Sequence, residues 1–220
     1  MPERISIVEN ILSANDQIAA ENRTILDQAG VYAINIMASP GAGKTSLIEH
    51  TVRLLSSQLR IAVIDGDIAT SLDADRAAAA GAALAVQINT GGECHLDAIM
   101  LNQALKQVDL SQADLLIVEN VGNLVCPASF ELGTHESVLV ASIPEGDDKP
   151  YKYPGMYRGV DVLVVNKIDL LPYVTFNMSY FLQGIEMLNP GVKTFQLSCR
   201  TSQGLVDWLA WLKGRTKKGR

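Results

Sequence analysis

Residues 37–47, with the sequence MASPGAGKTSL, place two glycines, a lysine and a threonine between an apolar run and a helical pattern. In loops that bind phosphate, glycines let successive backbone N–H groups converge on the phosphate oxygens, and the helix that follows adds the positive end of its dipole. The lysine would supply a point charge for the β- and γ-phosphates, and the threonine a hydroxyl for Mg²⁺. The predicted phosphate-binding residues are Gly41, Ala42, Gly43, Lys44, Thr45 and Ser46.

One position departs from the strict phosphate-loop pattern, because Ala38 stands five positions before Gly43, where the pattern has glycine. A methyl group is tolerated there if the backbone has negative φ. The alternative interpretation is a tight turn between a strand and a helix that carries an incidental lysine. The order of strand, loop and helix favours nucleotide binding over that alternative.

A second motif, NKID at residues 166–169, indicates which base the nucleotide carries. It ends the apolar run VLVVN, and ligands of open α/β sheets bind at the carboxyl ends of the strands. Asp169 could accept hydrogen bonds from N1–H and the exocyclic amine of guanine, a pair of donors that adenine lacks. Lys167 would lie along the ring, and Asn166 would brace the loop. The alternative is a polar strand end capped by Asp169, and the phosphate loop earlier in the chain favours guanine.

The last apolar run ends in LSCR, residues 197–200, where a backbone N–H could meet the guanine O6. Proteins with the two motifs above often have Ser-Ala-Lys at this place. Ser198 and Cys199 are therefore predicted to line the base site, with Cys199 as a small apolar substitute for alanine and not as a metal ligand.

Acidic residues at the ends of two further apolar runs could hold the metal ion that accompanies a nucleotide. Asp67 in IDGDIAT and Glu119 in IVENVGN would lie at the ligand edge of the sheet near Mg²⁺, directly or through water. Asp65 could replace Asp67, and ordinary strand-end carboxylates are the alternative for both. Since no residue stands out as a base for water, we expect slow turnover. The predicted catalytic residues are Lys44, Thr45, Asp67 and Glu119, of which Thr45, Asp67 and Glu119 would hold Mg²⁺.

Two of the three cysteines could bind a second metal ion. Cys94 precedes His95 in TGGECHLDA, and Cys126 follows Glu119 by seven residues. Thiolate and imidazole are ligands that Zn²⁺ and Ni²⁺ select, although a lone cysteine is more often a small buried hydrophobe. Adjacent residues on a regular helix point about 100° apart and would not both face one ion. A metal site shared by two chains across a two-fold interface is therefore predicted.

Seven short apolar runs alternate with helical patterns along the chain. Continuous runs of this length are typical of strands covered on both faces, so they predict a P-loop NTPase fold, a three-layer α/β sandwich with a mostly parallel sheet. Amphipathic helices are predicted at residues 3–29, 45–59 and 96–108, and a small-residue helix end at 77–85. The least structured segment is predicted at 143–159, where proline, glycine and charge gather. The apolar runs are YAINIM, IAVID, LAVQI, LLIVEN, VLVASI, VLVVN and TFQLS.

Composition favours one globular domain in a reducing compartment. The 220 residues are 48% hydrophobic, with 18 basic against 24 acidic residues, and basic residues cluster only in the tail from Lys213, so no nucleic-acid partner is expected. No apolar run approaches the roughly 20 residues that span a bilayer, the start lacks the order of a signal peptide, and three scattered cysteines form no disulfide framework. We predict a cytoplasmic protein without a membrane partner. Its predicted parts are an N-terminal helix at 1–30, a GTPase domain at 31–214 and a basic tail at 215–220.

Across nearly its whole length the chain resembles the HypB family of hydrogenase nickel-incorporation GTPases, which are P-loop proteins of the SIMIBI class. The segments that carry the resemblance are SPGAGKTSL, DGDIATSLDADR, TGGECHLDA, ENVGNLVCPASFELG, EGDDKPYKYP and NKIDL. The resemblance implies hydrolysis of GTP to GDP and phosphate, a homodimer that forms when GTP is bound, and assistance in delivering Ni²⁺ to the NiFe-hydrogenase large subunit precursor. It also implies a Ni²⁺ or Zn²⁺ site at the dimer interface, built from Cys94, His95 and Cys126.

The chain lacks two features of many members of that family, an N-terminal cysteine-rich nickel motif and a histidine-rich stretch. Its first cysteine is Cys94, and its histidines, His50, His95 and His135, are dispersed. We therefore expect no high-affinity nickel storage, and we expect a metallochaperone partner of the HypA type to bring or hold the nickel. The γ-phosphate is predicted to shift residues 119–126, so that nucleotide and metal alter each other's affinity by the same factor.

Two other functions stay open on the sequence. A urease-type nickel accessory GTPase would share the fold, but its Cys-Pro-His motif is absent from this sequence. A metal-binding module could use the nucleotide as a structural ligand without significant turnover. Phosphate release from GTP and from ATP separates these alternatives.

Overall fold

The seven predicted apolar runs form one parallel sheet in the computed structural model, which describes residues 7–67 and 72–216. The strands are β1 (Tyr32–Ala38), β2 (Ile61–Asp67), β3 (Leu84–Asn89), β4 (Leu115–Glu119), β5 (Glu136–Ser142), β6 (Val162–Asn166) and β7 (Lys193–Gln196). The helices are α1 (Ile7–Ala29), α2 (Lys44–Leu55), α3 (Leu72–Ala80), α4 (Ala98–Leu105), α5 (Lys149–Lys152), α6 (Pro154–Arg158), α7 (Met178–Leu188) and α8 (Leu205–Arg215). Short 3-10 turns lie at Leu110–Gln112, Cys126–Ser129, Ile143–Glu145 and Ile168–Leu170.

The strand order is β3-β2-β4-β1-β5-β6-β7, with every neighbouring pair parallel. Parallel strands end at the same edge of a sheet, so the loops that follow β1, β2, β4 and β6 all meet there. The register pairs Asp65 with Glu119 across β2 and β4, and Ile36 of β1 with the same Glu119. Asp65, the alternative to Asp67 as a metal carboxylate, is therefore the neighbour of Glu119 in the sheet, while Asp67 pairs with Asn89 of β3.

Helices cover both faces of this sheet, which makes the predicted three layers. Alternate residues of a strand point to opposite faces, so Ile34 and Ile36 pack with α2 and α8, while Ala33 faces α1 and α4. Farther along that second face, α6 and α7 cover β5 and β6. None of the helices in the described part of the chain is both long and apolar enough to cross a membrane.

Helix α1 is attached to the domain by buried asparagines as well as by apolar contacts. The Asn22 amide nitrogen donates to the carbonyl oxygens of Ala98 (2.9 Å) and Leu132 (3.0 Å), and its oxygen accepts from the Asn102 amide (2.8 Å). Asn15 joins the same two segments, since its amide nitrogen donates to the Glu131 carbonyl (2.8 Å) and its oxygen accepts from the Ala98 N–H (2.9 Å). The helix thereby connects α4 to the segment before β5.

Several element boundaries differ from the sequence prediction. Helices α2 and α4 are shorter than predicted, and Asp97 caps α4 by accepting from the Met100 N–H at 2.8 Å. The expectation that 143–159 is the least structured segment is wrong, because this segment forms a 3-10 turn, α5 and α6. Its prolines lie in the first turns of these elements, where a missing N–H costs no intrahelical bond. Residues 3–6 of the first predicted helix and 217–220 of the basic tail lie outside the described residues.

Candidate nucleotide site and metal cluster

The predicted phosphate loop connects β1 to α2, and its backbone requires glycine at two positions. Gly41 and Gly43 have φ of 77° and 102°, in the left-handed region. A Cβ on residue 43 would also collide with the Asn166 amide. Ala38 is the last residue of β1 and is not among the non-glycine residues with positive φ in the described chain, so its methyl group is accommodated. Helix α2 begins at Lys44, so its free N–H groups face the loop.

The NKID motif holds this loop through two side chains. The Asn166 amide donates to the Ala42 carbonyl at 3.0 Å, and its oxygen accepts from the N–H groups of Lys167 (2.7 Å) and Cys199 (3.3 Å). The Lys167 ammonium donates to the Gly41 carbonyl at 2.6 Å. Asn166 therefore ties three loops together, which is the bracing that the sequence predicts for it.

The remaining residues predicted for the base site lie beside the motif. The Ser198 hydroxyl donates to Asp169 Oδ1 at 2.6 Å and accepts from the Thr201 N–H at 3.1 Å. Cys199 is buried, and burial raises the pKa of its thiol to about 11, so it stays protonated at neutral pH. Such a thiol behaves as a small apolar group.

Two adjoining cavities run along this edge of the sheet. The first, of about 460 Å³, lies over the phosphate loop and reaches Glu119, and the second, of about 370 Å³, is lined by Asp169 and Cys199. Both are lined by Gly43, Ser46 and Lys167, so they form one continuous groove. Its two ends match the two chemical ends of a nucleotide: backbone N–H groups and a lysine for phosphates, and a carboxylate for a base.

Four carboxylates line the phosphate end of the groove, at Asp65, Asp67, Asp73 and Glu119. Oxygens of Asp65, Asp73 and Glu119 lie within 4.8 Å of one another. The Thr45 hydroxyl donates to Glu119 Oε1 at 2.7 Å, whereas Asp65 Oδ2 is buried and has no hydrogen-bond partner among residues 7–67 and 72–216. The structure therefore places Asp65 in the cluster with Glu119, and Asp67 in the wall of the same cavity.

The electrostatics of this cluster fit a divalent cation. Burial and the neighbouring Glu119 charge raise the pKa of Asp65 to about 7. Burial also raises the pKa of Glu119 to about 7, against the opposing effects of Lys44 and the Thr45 hydroxyl. Carboxylates at this place would repel a triphosphate, and Mg²⁺ would neutralise both. The orphaned oxygen of Asp65 and the hydroxyl of Thr45 are oxygen donors of the kind that Mg²⁺ takes.

Sequence reasoning missed two charged residues of this site, Asp73 and Arg76. Both line the phosphate cavity, and Arg76 donates to Asp73 Oδ1 (3.2 Å) and Glu49 Oε2 (2.9 Å). Their position in DGDIATSLDADR, in the helix that follows a strand at the ligand edge, is the pattern that could have indicated them. Residues 68–71 of that motif lie outside the described residues.

Cys94, His95 and Cys126 form a second cluster, with their ligand atoms within 4.8 Å of one another. The two sulfur atoms are 3.1 Å apart, and Cys94 Sγ lies 3.9 Å from His95 Nδ1. The His95 ring stacks on Phe130 with 4.1 Å between ring centroids. Cys94 and His95 lie in the loop before α4, so the angular argument for adjacent helical residues does not apply to them. A single chain brings all three ligands together.

A parallel sheet with a phosphate loop after β1 and a guanine-type motif after β6 defines the class of P-loop nucleotide-binding proteins. A family model described as "CobW/HypB/UreG, nucleotide-binding domain" matches residues 32–196. Within that group the chain belongs to the HypB family of hydrogenase maturation factors, as its similarity to curated relatives and solved structures shows.

Two curated HypB proteins illustrate this similarity. The one from Rhizobium leguminosarum bv. viciae is 47% identical over 212 residues, which cover 96% of this chain and 71% of the relative. The probable HypB from Methanocaldococcus jannaschii is 40% identical over 214 residues, covering 97% and 96%. Sequence identity of this extent along both proteins confirms the resemblance noted from the motifs.

Solved structures agree with the curated relatives. HypB from Archaeoglobus fulgidus superposes with a TM-score of 0.85 at 37% identity, covering 92% of this chain and 98% of that one. HypB from Helicobacter pylori in complex with nickel also gives 0.85, at 36% identity, covering 90% and 93%. The LAO/AO transport system kinase, with a TM-score of 0.54 and 16% identity, shares the fold alone.

Proposed function

We propose that this chain hydrolyses GTP to GDP and phosphate, and that its nucleotide state controls a Ni²⁺ or Zn²⁺ site used to deliver nickel to the NiFe-hydrogenase large subunit precursor. The observation that carries the proposal is the continuous groove that runs from the phosphate loop to Asp169. The chain segment that follows Glu119 connects this groove to the ligand cluster of Cys94, His95 and Cys126. The names of the HypB relatives and the nickel complex of the Helicobacter pylori protein support it.

The phosphate end of the groove suits hydrolysis of a terminal phosphoryl group. The oxygen of a water molecule forms the new bond to the γ-phosphorus, the bond to the β–γ bridging oxygen breaks, and a proton passes to solvent. Lys44 and the N–H groups of the loop stabilise the negative charge that develops on the phosphate oxygens. Mg²⁺, when bound by Thr45 and Glu119 with Asp65 or Asp67, supplies additional positive charge at these oxygens.

The base end of the groove suits guanine because of Asp169. The hydrogen bond from Ser198 holds the carboxylate in one orientation before the base arrives, so little reorganisation is needed on binding. Guanine offers two N–H groups to this carboxylate, whereas adenine offers a ring acceptor there and donates no hydrogen bond to it. A hydrogen bond to a charged group contributes about 1.5–3 kcal/mol, so the bonds that guanine alone can make favour GTP over ATP.

The second cluster supplies three soft ligands from one chain. Four-coordinate Zn²⁺ or Ni²⁺ at Cys94, His95 and Cys126 would keep one open position. That position is suited to a ligand from a second copy in a nucleotide-dependent homodimer, or to transfer of the ion to or from a partner. The partners we propose are a HypA-type metallochaperone, which brings or holds nickel, and the hydrogenase large subunit precursor, which receives it.

Phosphate release from GTP and from ATP, measured with Mg²⁺ under identical conditions, tests the enzymatic part of this proposal. We expect slow release from GTP, little from ATP, and loss of activity in Lys44→Ala. Release from ATP that equals or exceeds release from GTP would contradict the assignment of the base. No release from either nucleotide would leave a binding module that does not turn the nucleotide over.

Titration of Ni²⁺ and Zn²⁺ tests the metal part. Cys94→Ala and Cys126→Ala should each weaken binding by about tenfold or more, because each removes a thiolate ligand. Cys199→Ala is the matched control, since its buried thiol lies outside the cluster, and it should bind metal as the parent does. Unchanged affinity in both cluster variants would show that the thiols are not ligands.

A further inference from the structure

The segment from Glu119 to Cys126 is packed directly on the phosphate loop. The Asn123 N–H donates at 2.9 Å to the carbonyl of Ala38, the last residue of β1, directly before the loop. Gly122 faces Pro40 so closely that a Cβ on it would lie 3.3 Å from the Pro40 backbone nitrogen and Cα. A displacement of the loop at Pro40 therefore meets backbone atoms of this segment and moves them.

The Asn123 side chain extends from the same segment to Cys94 and to Val125. Its amide nitrogen donates to the Cys94 carbonyl oxygen at 3.3 Å, and its oxygen accepts from the N–H of Val125, the residue before Cys126, at 2.9 Å. One partner is an acceptor and the other a donor, so a single orientation of the amide satisfies both. Asn123 thus contacts the end of β1, directly before the phosphate loop, through its backbone, and both thiol-bearing segments through its side chain.

Asn120, three residues earlier, is anchored differently. Its oxygen accepts from the Leu96 N–H at 3.0 Å, next to His95, and its amide donates to Asn35 of β1 at 3.3 Å. Asn120 is buried, and it ties the loop between β3 and α4, here called the metal loop (residues 90–97), to the interior of the sheet. Packing there leaves little room for movement. The side chain of Asn123, in contrast, contacts two loops, which are the parts of the site that can respond to a nucleotide.

We propose that Asn123 is the positioning residue that couples the nucleotide site to the cysteine pair. When the phosphate loop changes its contacts, the backbone of Asn123 moves with it, and its amide changes the placement of Cys94 relative to Cys126. This inference rests on the proposed function, because it requires that both sites be used. Asparagine suits the role because serine and aspartate lack the amide donor, and glutamine would place the amide farther from the backbone.

Two variants and one control test the inference. Asn123→Ala removes both side-chain hydrogen bonds, and Asn123→Ser keeps an acceptor short enough for the Val125 N–H while losing the contact with Cys94. The control is Asn89→Ala, at the start of the metal loop. Asn89 Oδ1 accepts from the N–H two residues later, that of Gly91, at 2.9 Å, just as Asn123 Oδ1 accepts from Val125. Far-ultraviolet circular dichroism and thermal unfolding establish that each variant is folded.

Two ratios are measured for each protein, with GDP and with a non-hydrolysable GTP analogue. The first is the ratio of the dissociation constants for Ni²⁺ alone, obtained by titration. The second, on metal-free protein, compares the rates of alkylation by iodoacetamide in the two nucleotide states, separately for Cys94 and for Cys126. Mass spectrometry of the peptides follows each reaction. Alkylation reports the exposure and contacts of the thiols without any contribution from metal ligation.

Coupling between two sites typically changes an affinity by about 5- to 150-fold, and we expect the parent and Asn89→Ala to show nickel ratios in that range. In Asn123→Ala and Asn123→Ser both ratios should fall to within about twofold of one, while each protein still binds nucleotide and nickel. A parent ratio different from one that survives in both Asn123 variants would overturn the inference and leave the proposed function standing. Ratios of one in the parent itself would overturn both.

Discussion

Replacement of Asn22 in α1 by alanine is expected to lower the free energy of unfolding by about 3 kcal/mol. Asn22 is fully buried, and its amide makes three hydrogen bonds, to the carbonyls of Ala98 and Leu132 and from the Asn102 amide. Each such bond contributes about 1 kcal/mol net, and a buried partner left unsatisfied adds to the loss. Alanine restores none of these bonds and leaves space beside the Asn102 amide.

Urea unfolding of protein without metal or nucleotide, at neutral pH, measures this loss. The matched control is Thr24→Ala on the same helix, because Thr24 is exposed and its hydroxyl bonds only locally, to the Ala20 carbonyl at 2.9 Å. An exposed substitution of this kind should change the free energy of unfolding by less than about 0.5 kcal/mol. If Asn22→Ala unfolds at the same urea concentration as Thr24→Ala, the reasoning about the buried amides is refuted.

Three further outcomes are expected. Gly133→Ala should lower the free energy of unfolding by more than about 2 kcal/mol, because φ is 84° and the new Cβ would collide with the Ala19 carbonyl. Gly91→Ala, where φ is 66° and the Cβ would meet open space, should lower it by about 1 kcal/mol, and thermal unfolding compares the two variants. Because burial raises the pKa of Asp65 from 3.8 to about 7, the folded metal-free protein holds a proton that the unfolded chain releases, so stability should fall as pH rises through that range. Urea unfolding at several pH values should show that the free energy of unfolding falls less steeply with pH in Asp65→Asn than in the parent. An equally steep fall in the variant would contradict the raised pKa of Asp65. Asp169→Asn should weaken binding of a fluorescent GDP analogue by about tenfold or more, and equal affinities would exclude Asp169 from the base site.

The strands and the nucleotide loops could be predicted because their sequence patterns are local. Runs such as VLVV, residues 162–165, are apolar at every position, which is typical of a strand covered on both faces, and each of the seven runs lies wholly or largely in a strand. The glycines around Lys44 and the NKID motif follow such strands directly. Because the carboxyl ends of parallel strands share one edge, the sequence predicted that these motifs would lie close together without any knowledge of distances.

The metal cluster and the outer charges of the site depend on how loops are placed, which local patterns do not determine. Cys94 and His95 lie in the loop before α4, and the loop after β4 folds back until Cys126 lies beside Cys94. Asp73 reaches Glu119 only because α3 begins close to the sheet edge. The prolines of 143–159 suggested a loop, although proline is equally compatible with the first turn of a helix.

The attachment of α1 has a consequence for experiments in different solvents. Asn15 and Asn22 hold the Ala98 and Leu132 regions, which follow the two cysteine-bearing loops, entirely through uncharged amides. Amide groups neither titrate nor attract counterions over the physiological range of acidity and ionic strength. Acid and salt should therefore leave these four hydrogen bonds unchanged, and their effect on the attachment of α1 should be confined to its charged contacts, such as the ion pair of Asp27 with His135 and the bond from Arg23 to the Thr134 carbonyl.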